Sequence, residues 1–257
     1  AIALLEQGMS PADVIKKITD DDPNRDTRQV AVIDATGRSA AYTGKRVIDR
    51  NYDKTDHVHF GGWAGSQEGV NFSVQGNTLA SEDVIKAMAA AYSNGKGTMA
   101  ERLMDALEAG QSKGGDIRGM QAAGILVVQP VTDPSVTTDH LIDIRVDDAP
   151  DPFKELRRVL NVRLSGDHMR AAAAMAKDGK FKEAIDEQKL ATSMNPRNEA
   201  MHYALAERYA DAGDYPSALK ALQQAVTMQP RLKLNAAESL SLAKMKDSVE
   251  FKRLLGQ

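Results

Sequence analysis

Apolar residues recur at helical spacing at the start of the chain, at strand spacing through its middle, and at helical spacing again to its end. In "AIALLEQGMSPADVIKKI" the positions Ile2, Leu4 and Leu5 predict a helix that stops at Gly8. Ser10 followed by Pro11 predicts the cap and first turn of a second helix to about Thr19. The pattern is already helical at Ile2 with nothing ahead to cap it, so the natural chain is expected to extend upstream of Ala1. The polar run "DDDPNRD" reads as a loop, and "RQVAVID" and "RSAAYTG" read as two strands joined at "ATG" into a hairpin. An irregular polar stretch, "NYDKTDHVHFGGWAGSQEG", leads to a strand in "VNFSVQGN". Ser81 caps a helix that ends at Gly95, and the capping box of Thr98 and Glu101 opens another that stops at Gly110. A glycine-rich link feeds the strand "QAAGILVVQ". A turn with Pro130 and Pro134 precedes "HLIDIRVDD", and Asp151 with Pro152 starts a further helix. Strands and helices in this order predict a layered α+β domain over residues 1–164.

From about residue 165 the chain becomes alanine-rich and repeats itself. "GKFKEAIDEQKLATSMNP" and "GDYPSALKALQQAVTMQP" superimpose at a constant offset of 34 residues, matching Gly179 with Gly213, Phe181 with Tyr215, Ala184 with Ala218, Ala191 with Ala225 and Pro196 with Pro230. That is the period of the tetratricopeptide repeat, so residues 165–257 are expected to form an all-α helical repeat, closed by a shortened unit from Asn235. The alanines are expected to sit where helices touch, and Phe181 and Tyr215 to fill the gap between repeats. Such a stack either recruits a protein partner or only packs.

Composition narrows the classes. Across 257 residues, a formal net charge of −3 gives no electrostatic reason to expect nucleic acid or an acidic membrane as partner. Cysteine is absent, which excludes disulfides, thiol nucleophiles and thiolate-ligated metals from these residues. The longest apolar run, 122–128, is far shorter than the roughly 20 residues of a membrane helix. No cofactor motif is present: there is no Walker loop, nucleophile elbow, zincin pair or dinucleotide fingerprint. The compartment stays open, with the cytoplasm favoured, and a homodimer is the expected assembly.

Candidate chemistry gathers around the glycine-rich link. The strand "QAAGILVVQ" is apolar on both faces, which predicts a central strand covered on two sides and places Asp116, Arg118 and Gln121 at the end of a buried sheet. Alternation puts Asp143, Arg145 and Asp147 on one face of "DIRVD", and Ser73, Gln75 and Asn77 on one face of "SVQGN". These rows are either exposed polar faces or walls of one cleft, and convergence on one cleft is the sharper expectation. Gly114 and Gly115 could turn backbone N–H groups toward an anion. His57 and His59 share a side of an extended segment, but no third ligand is fixed by spacing, and no metal is expected. His140, His168 and His202 read as surface or packing residues. Trp63, the only tryptophan, is either a loop anchor or a pocket wall.

Five blocks, "RQVAVIDATGRSAAYTG", "GGWAG", "FSVQGNTLAS", "AERLMDALEAGQSKGGDIRGMQAA" and "IDIRVDDAPDPFKELRRVL", resemble in order the domain-of-unknown-function family 1028 of bacteria and archaea. The likeness covers about residues 1–160. It implies an N-terminal-nucleophile (Ntn) hydrolase-like sandwich of two sheets between two helical layers, and strands that precede Ala1. It also implies a nucleophile on a first strand that these residues do not contain. Some family members carry a putative peptidoglycan-binding module where the repeats stand here. The family commonly shows Ser and His where this chain has Ala122 and Ala149. On this footing the expected activity is hydrolysis of an amide in a small molecule or peptide. Asn77 would be the oxyanion donor, and Asp116 would act with it at the catalytic centre. Trp63, Arg118, Gln121, Asp143, Arg145 and Asp147 would surround the substrate. The rival is a binding or scaffold protein that keeps the sandwich without turnover.

Overall fold

A computed structural model of the chain describes residues 1–48, 62–130 and 138–256. They divide into two compact units, Ala1–Leu156 and Arg157–Gln257.

In the first unit, α1 (Ile2–Glu6) and α2 (Pro11–Asp20) are separated at Gly8, which has φ +83. Ser10 Oγ accepts from the Asp13 amide at 3.2 Å and caps α2. Val14 and Ile15 of α2 are buried against Val32 of β1 (Gln29–Ile33). β1 pairs antiparallel with β2 (Ser39–Thr43), from Gln29 opposite Thr43 to Ile33 opposite Ser39. Alternation then sends Val30, Val32, Ala40 and Tyr42 toward α2. The turn between them is built on Asp34. Its Oδ1 accepts from Thr36 N, Thr36 Oγ1 and Arg38 N, and its Oδ2 accepts from Arg38 Nε at 2.7 Å. These bonds, Thr36 foremost, hold the carboxyl down at about 2. Gly37 in this turn has φ +83, and a Cβ on it would overlap the side chain of Asn71, while the backbone N–H of Asn71 donates to the Gly37 carbonyl at 3.0 Å.

After the short helix α3 (Lys45–Ile48), a second antiparallel hairpin joins β3 (Trp63–Gly69) to β4 (Phe72–Leu79). The sequence pattern read β3 as irregular because it carries no β-branched residue and has glycine at 65 and 69. Pairing with β4, rather than propensity, makes it a strand. Phe72, Val74, Leu79 and Trp63 pack on Val84, Ile85 and Ala89 of α4 (Glu82–Asn94). The β1–β2 hairpin packs against β3–β4 on one side and α2 on the other, so α2, two β-hairpins and α4 follow one another through the unit. The class is mixed α+β.

Thr98 and Glu101 form the expected capping box of α5 (Met99–Ser112). The stop expected at Gly110 is not there. Gly110 lies inside α5, and a Cβ on it would sit 2.7 Å from Met88 Cγ, so its bareness serves the close packing of α5 on α4. β5 (Ala123–Val128) and β6 (His140–Val146) form a third antiparallel pair. Ile125, Val127, Ile142, Ile144 and Val146 are buried, but Leu126 is 52% and Val128 56% exposed. The expectation of a central strand covered on both faces is therefore corrected: among the described residues β5 pairs only with β6, and its second apolar face is open.

Asp151 Oδ1 accepts from Lys154 N at 3.0 Å in the first turn of α6 (Pro152–Lys177). This helix runs unbroken through residues 164 and 165, where the composition changes. In the second unit, α7 (Phe181–Met194), α8 (Glu199–Asp211) and α9 (Tyr215–Met228) pack consecutively. Gly179 and Gly213, at φ +75 and +82, turn the chain into α7 and α9. Ala184, Ala191, Ala218 and Ala225 are all buried, as small residues at helix contacts are. Phe181 and Tyr215 are 39% and 40% exposed, so they lie at helix starts on the surface rather than filling the gap between repeats. α10 (Leu232–Glu238), a short 3₁₀ turn at Leu242–Met245 and α11 (Val249–Leu255) add Ala236, Leu242, Met245 and Phe251 to the core of α8 and α9.

Two outcomes are expected. Ala218→Glu places a charge where no side-chain surface is exposed and should destabilise by about 3 kcal/mol; a melting temperature within a degree of wild type would contradict the packing. Because the Asp34 carboxyl is depressed to about 2, its contribution is full above the ordinary carboxylate range and is lost as pH falls toward 2. The stability advantage of wild type over Asp34→Asn in denaturant titrations should therefore be present at pH 6 and shrink between pH 4 and pH 2.

Candidate functional site

β4 ends in a backbone conformation that few side chains tolerate. Thr78 has φ +58 and is almost wholly buried, an outlier for a β-branched residue. Its hydroxyl donates to Asn77 Oδ1 at 3.2 Å, and its carbonyl accepts from Ile117 N at 2.9 Å. Ala80 N in turn donates to Gly115 O at 2.9 Å, so Leu79 and Asp116 form an antiparallel bridge on the edge of β4 away from β3. Gly114, Gly115 and Gly119 have φ +103, +54 and +103. The glycine-rich link is thus a required turn, and it is tied to the strand end.

Asp116 Oδ1 accepts from Arg118 N and Nε, both at 2.9 Å, and Oδ2 accepts from Arg118 Nη2 at 2.5 Å. That pairing raises Arg118 further above its ordinary value. Arg118 stands at the surface, half exposed, and Asp116 is the more sheltered of the two. Asp116 and Gln121 line a cleft of about 260 Å³ together with Gln75 of β4, over an apolar floor that includes Leu79, Met88, Leu107 and Phe153. The side chains of Gln75 and Gln121 make no hydrogen bond among the described residues. A second cavity of about 460 Å³ shares Gln75, Met88 and Leu107 with the first and extends along Phe72, Ser73 and Val74 of β4 to Gly124, Ile125 and Leu126 of β5. Ser73 Oγ is shielded from solvent there and has no hydrogen-bond partner among the described residues.

The other expected residues lie elsewhere. Asn77 points to the β1–β2 hairpin, where its Nδ2 donates to Gln29 Oε1 at 3.0 Å, and it does not line the cleft of Asp116. Trp63 is the first residue of β3, not a loop residue; its indole lies over Gly65 and joins the packing on α4. Asp143 and Arg145 pair with each other at 3.2 Å on the exposed face of β6, with His140 Nδ1 3.2 Å from Asp143. Asp147 follows that strand, exposed. Neither cavity is lined by these three residues, so the polar rows do not converge on one cleft. His168 Nδ1 lies 2.6 Å from Glu187 and His202 Nε2 2.9 Å from Pro196 O. His57 and His59 lie outside the described residues.

Gln29 is the residue the pattern did not single out. Its Nε2 donates to Gly76 O at 2.9 Å, Gly65 O at 3.3 Å and Thr43 Oγ1 at 3.2 Å, joining the two hairpins across their facing sides. The available signal was a polar residue opening the strand "QVAVI", on the face opposite Val30 and Val32. In the second unit, a groove of about 550 Å³ runs between α9, α10 and α11, with Leu219, Val226 and Leu254 in it and Lys233, Glu250 and Arg253 at its edges.

The model of a family of unknown function, DUF1028, matches residues 1–156. The chain belongs to this family. The DUF1028 match ends at the same residue as the first compact unit. A crystal structure of a Silicibacter pomeroyi protein of the DUF1028 family is similar, with 26% identity and a TM-score of 0.48 over 62% of this chain. The aligned part is 63% of that protein's chain, so the present chain spans less than two thirds of it. No curated protein matches.

Gln29→Leu keeps the side-chain volume but removes the Nε2 donor to Gly76 O and the Oε1 acceptor of Asn77 Nδ2. A loss of about 1–3 kcal/mol in denaturant unfolding is expected; an unchanged midpoint would show that the node carries no weight.

Proposed function

We propose that the DUF1028 unit binds an amide, in a small molecule or a peptide, in the cleft between the end of β4 and residues 115–122. The observation that carries this reading is the pair of primary amides, Gln75 and Gln121, that make no side-chain hydrogen bond among the described residues and stand beside the Asp116 carboxylate over an apolar floor. A carboxamide side chain offers two donors and an acceptor, and so matches the N–H and C=O of another amide. The carboxylate accepts a further N–H, with Arg118 holding it in place, while the floor takes an apolar side chain.

A second reading, hydrolysis in the Ntn manner, is supported by the sequence of α2, two β-hairpins and α4, which suits a sandwich of two sheets between helices. In it an N-terminal amine would serve as base for its own side-chain nucleophile. The engagement of Asn77 with Gln29 and the alanines at 122 and 149 favour binding over turnover. The spacing and buried alanines of the second unit support a tetratricopeptide-like module that recruits a protein partner, with self-association into a homodimer as part of the same proposal.

The test is a titration of the 257-residue chain with N-acetyl-leucinamide, followed by NMR shifts of the Gln75 and Gln121 side-chain amides. A saturable shift that weakens about tenfold in Gln121→Leu, with thermal unfolding unchanged, is expected. No shift at millimolar probe, or equal affinity in the variant, would overturn the cleft. Chromatographic appearance of leucinamide during the titration would favour hydrolysis.

A further inference from the structure

Asn94 and Gly95 are the one Asn-Gly step in the chain, and the fold sets that step at a helix end. Asn94 is the last residue of α4 and is exposed to solvent. After α7 and α9 the next amide returns to a carbonyl one turn back, Asn195 N to Ala191 O and Gln229 N to Ala225 O. Gly95 instead leaves α4 extended, at φ −62 and ψ 145, and its N–H makes no backbone hydrogen bond among the described residues. The Asn94 carboxamide makes none there either. A helix end with so few bonds opens far more readily than the helix body. Packing also fixes the residue that follows Asn94. A Cβ at position 95 would stand 2.8 Å from Ala91 O and 3.1 Å from Arg102 Cγ, so the position stays glycine. Glycine, without a side chain, shields its own nitrogen least.

We propose that Asn94 is a site of spontaneous deamidation and that its product loosens the end of α4. Water and a base are the only reagents needed. The Gly95 nitrogen loses its proton to solvent base and bonds to Asn94 Cγ. The side-chain nitrogen leaves as ammonia, and a five-membered succinimide closes. Water then opens this ring at either of its two carbonyls. One product is an aspartate at 94; the other is an isoaspartate, whose main chain runs through the former side-chain carbon. Each exchanges a neutral amide for a carboxylate, and nothing is oxidised or reduced.

The consequence runs through Arg102 of α5. Its Nε and Nη2 donate to Tyr92 O at 3.0 and 2.8 Å, and its guanidinium lies 4.2 Å from the centre of the Tyr92 ring. Tyr92 in turn meets Phe72 of β4, with ring centres 5.5 Å apart. Arg102 thus satisfies a carbonyl that the helix end leaves open and ties α4 to α5. A carboxylate two residues beyond Tyr92 competes with that carbonyl for the same guanidinium, and an anion at a helix C-terminus opposes the peptide dipoles. The isoaspartate also adds a methylene to the main chain between α4 and α5.

The experiment ages the 257-residue protein at pH 9, with pH 6 as the slow arm, because base promotes loss of the Gly95 proton. Trypsin then releases residues 87–96, in which Asn94 is the only asparagine. By mass and by enzymatic isoaspartyl methylation, this peptide should convert to aspartate and isoaspartate forms ahead of every other asparagine-containing peptide. Amide exchange in 88–94 should quicken at least tenfold in aged wild type and stay at the fresh rate in aged Asn94→Gln. An unmodified 87–96, or earlier change at another asparagine, would overturn the site. Modification of 87–96 with unchanged exchange would overturn the loosening. Equal quickening in wild type and Asn94→Gln would put the cause elsewhere and overturn it as well.

Discussion

The antiparallel bridge between Leu79 and Asp116 is the constraint on which the first unit depends. Through it the glycine-rich link is fixed to β4, and the position of the link sets where residues 119–122 run before β5 begins. It also requires the chain to leave β4 through Thr78 at positive φ, and Gly62 must then approach closely, since a Cβ there would stand 3.0 Å from the Thr78 carbonyl carbon. A strained residue persists only where its surroundings over-determine it, and here a hydroxyl bond, a carbonyl bond and burial all act on one threonine. Strain of this kind beside a cleft is what a site held in one geometry would need.

The facing sides of the two hairpins are polar where a plain core would be apolar. Gln29, Thr43 and Asn77 occupy one node, and Ser39 donates to Gly69 O and Phe72 O at the other end. Glycines at 65, 69 and 76 in the second hairpin leave their carbonyls open to these side chains. The node has a cost in desolvation that is offset only while every partner is present, so it favours one relative placement of the hairpins over slipped alternatives. Apolar packing on α2 and α4 then holds each hairpin from outside.

The second unit obeys a different rule. Small alanines at matched positions let α7, α8 and α9 approach, and the repeat is broken where Gln188 stands at the position matched by Leu222. Gln188 Nε2 donates to Met201 O at 3.1 Å, joined there by Thr192 Oγ1 at 3.2 Å. A buried polar pair in one repeat and an apolar pair, Leu222 and Val226, in the other give the two hairpins different interiors despite their shared spacing.

Local signals were legible in the residues themselves. Ser10, Ser81, Thr98 and Asp151 cap the helices they were expected to cap, and the 34-residue offset marks two helix starts at Phe181 and Tyr215, because caps and turns are decided within a few residues. The mixed class and the family membership of residues 1–156 were legible on the same basis, as ordered blocks. The rest required partners distant in sequence. β3 became a strand only by pairing with β4, Gly110 stayed helical because Met88 needed the space, and β5 lost its expected second cover. The candidate site divided for the same reason. Alternation could say which residues share a strand face, and it did so correctly for Asp143 with Arg145. It could not say what that face meets: Asn77 turned to Gln29, the Asp143 row to solvent, and only Asp116 and Gln121 joined Gln75 at a cleft. Periodicity is a property of one strand, whereas a cleft is made by the bridge and the layers that set strands against each other.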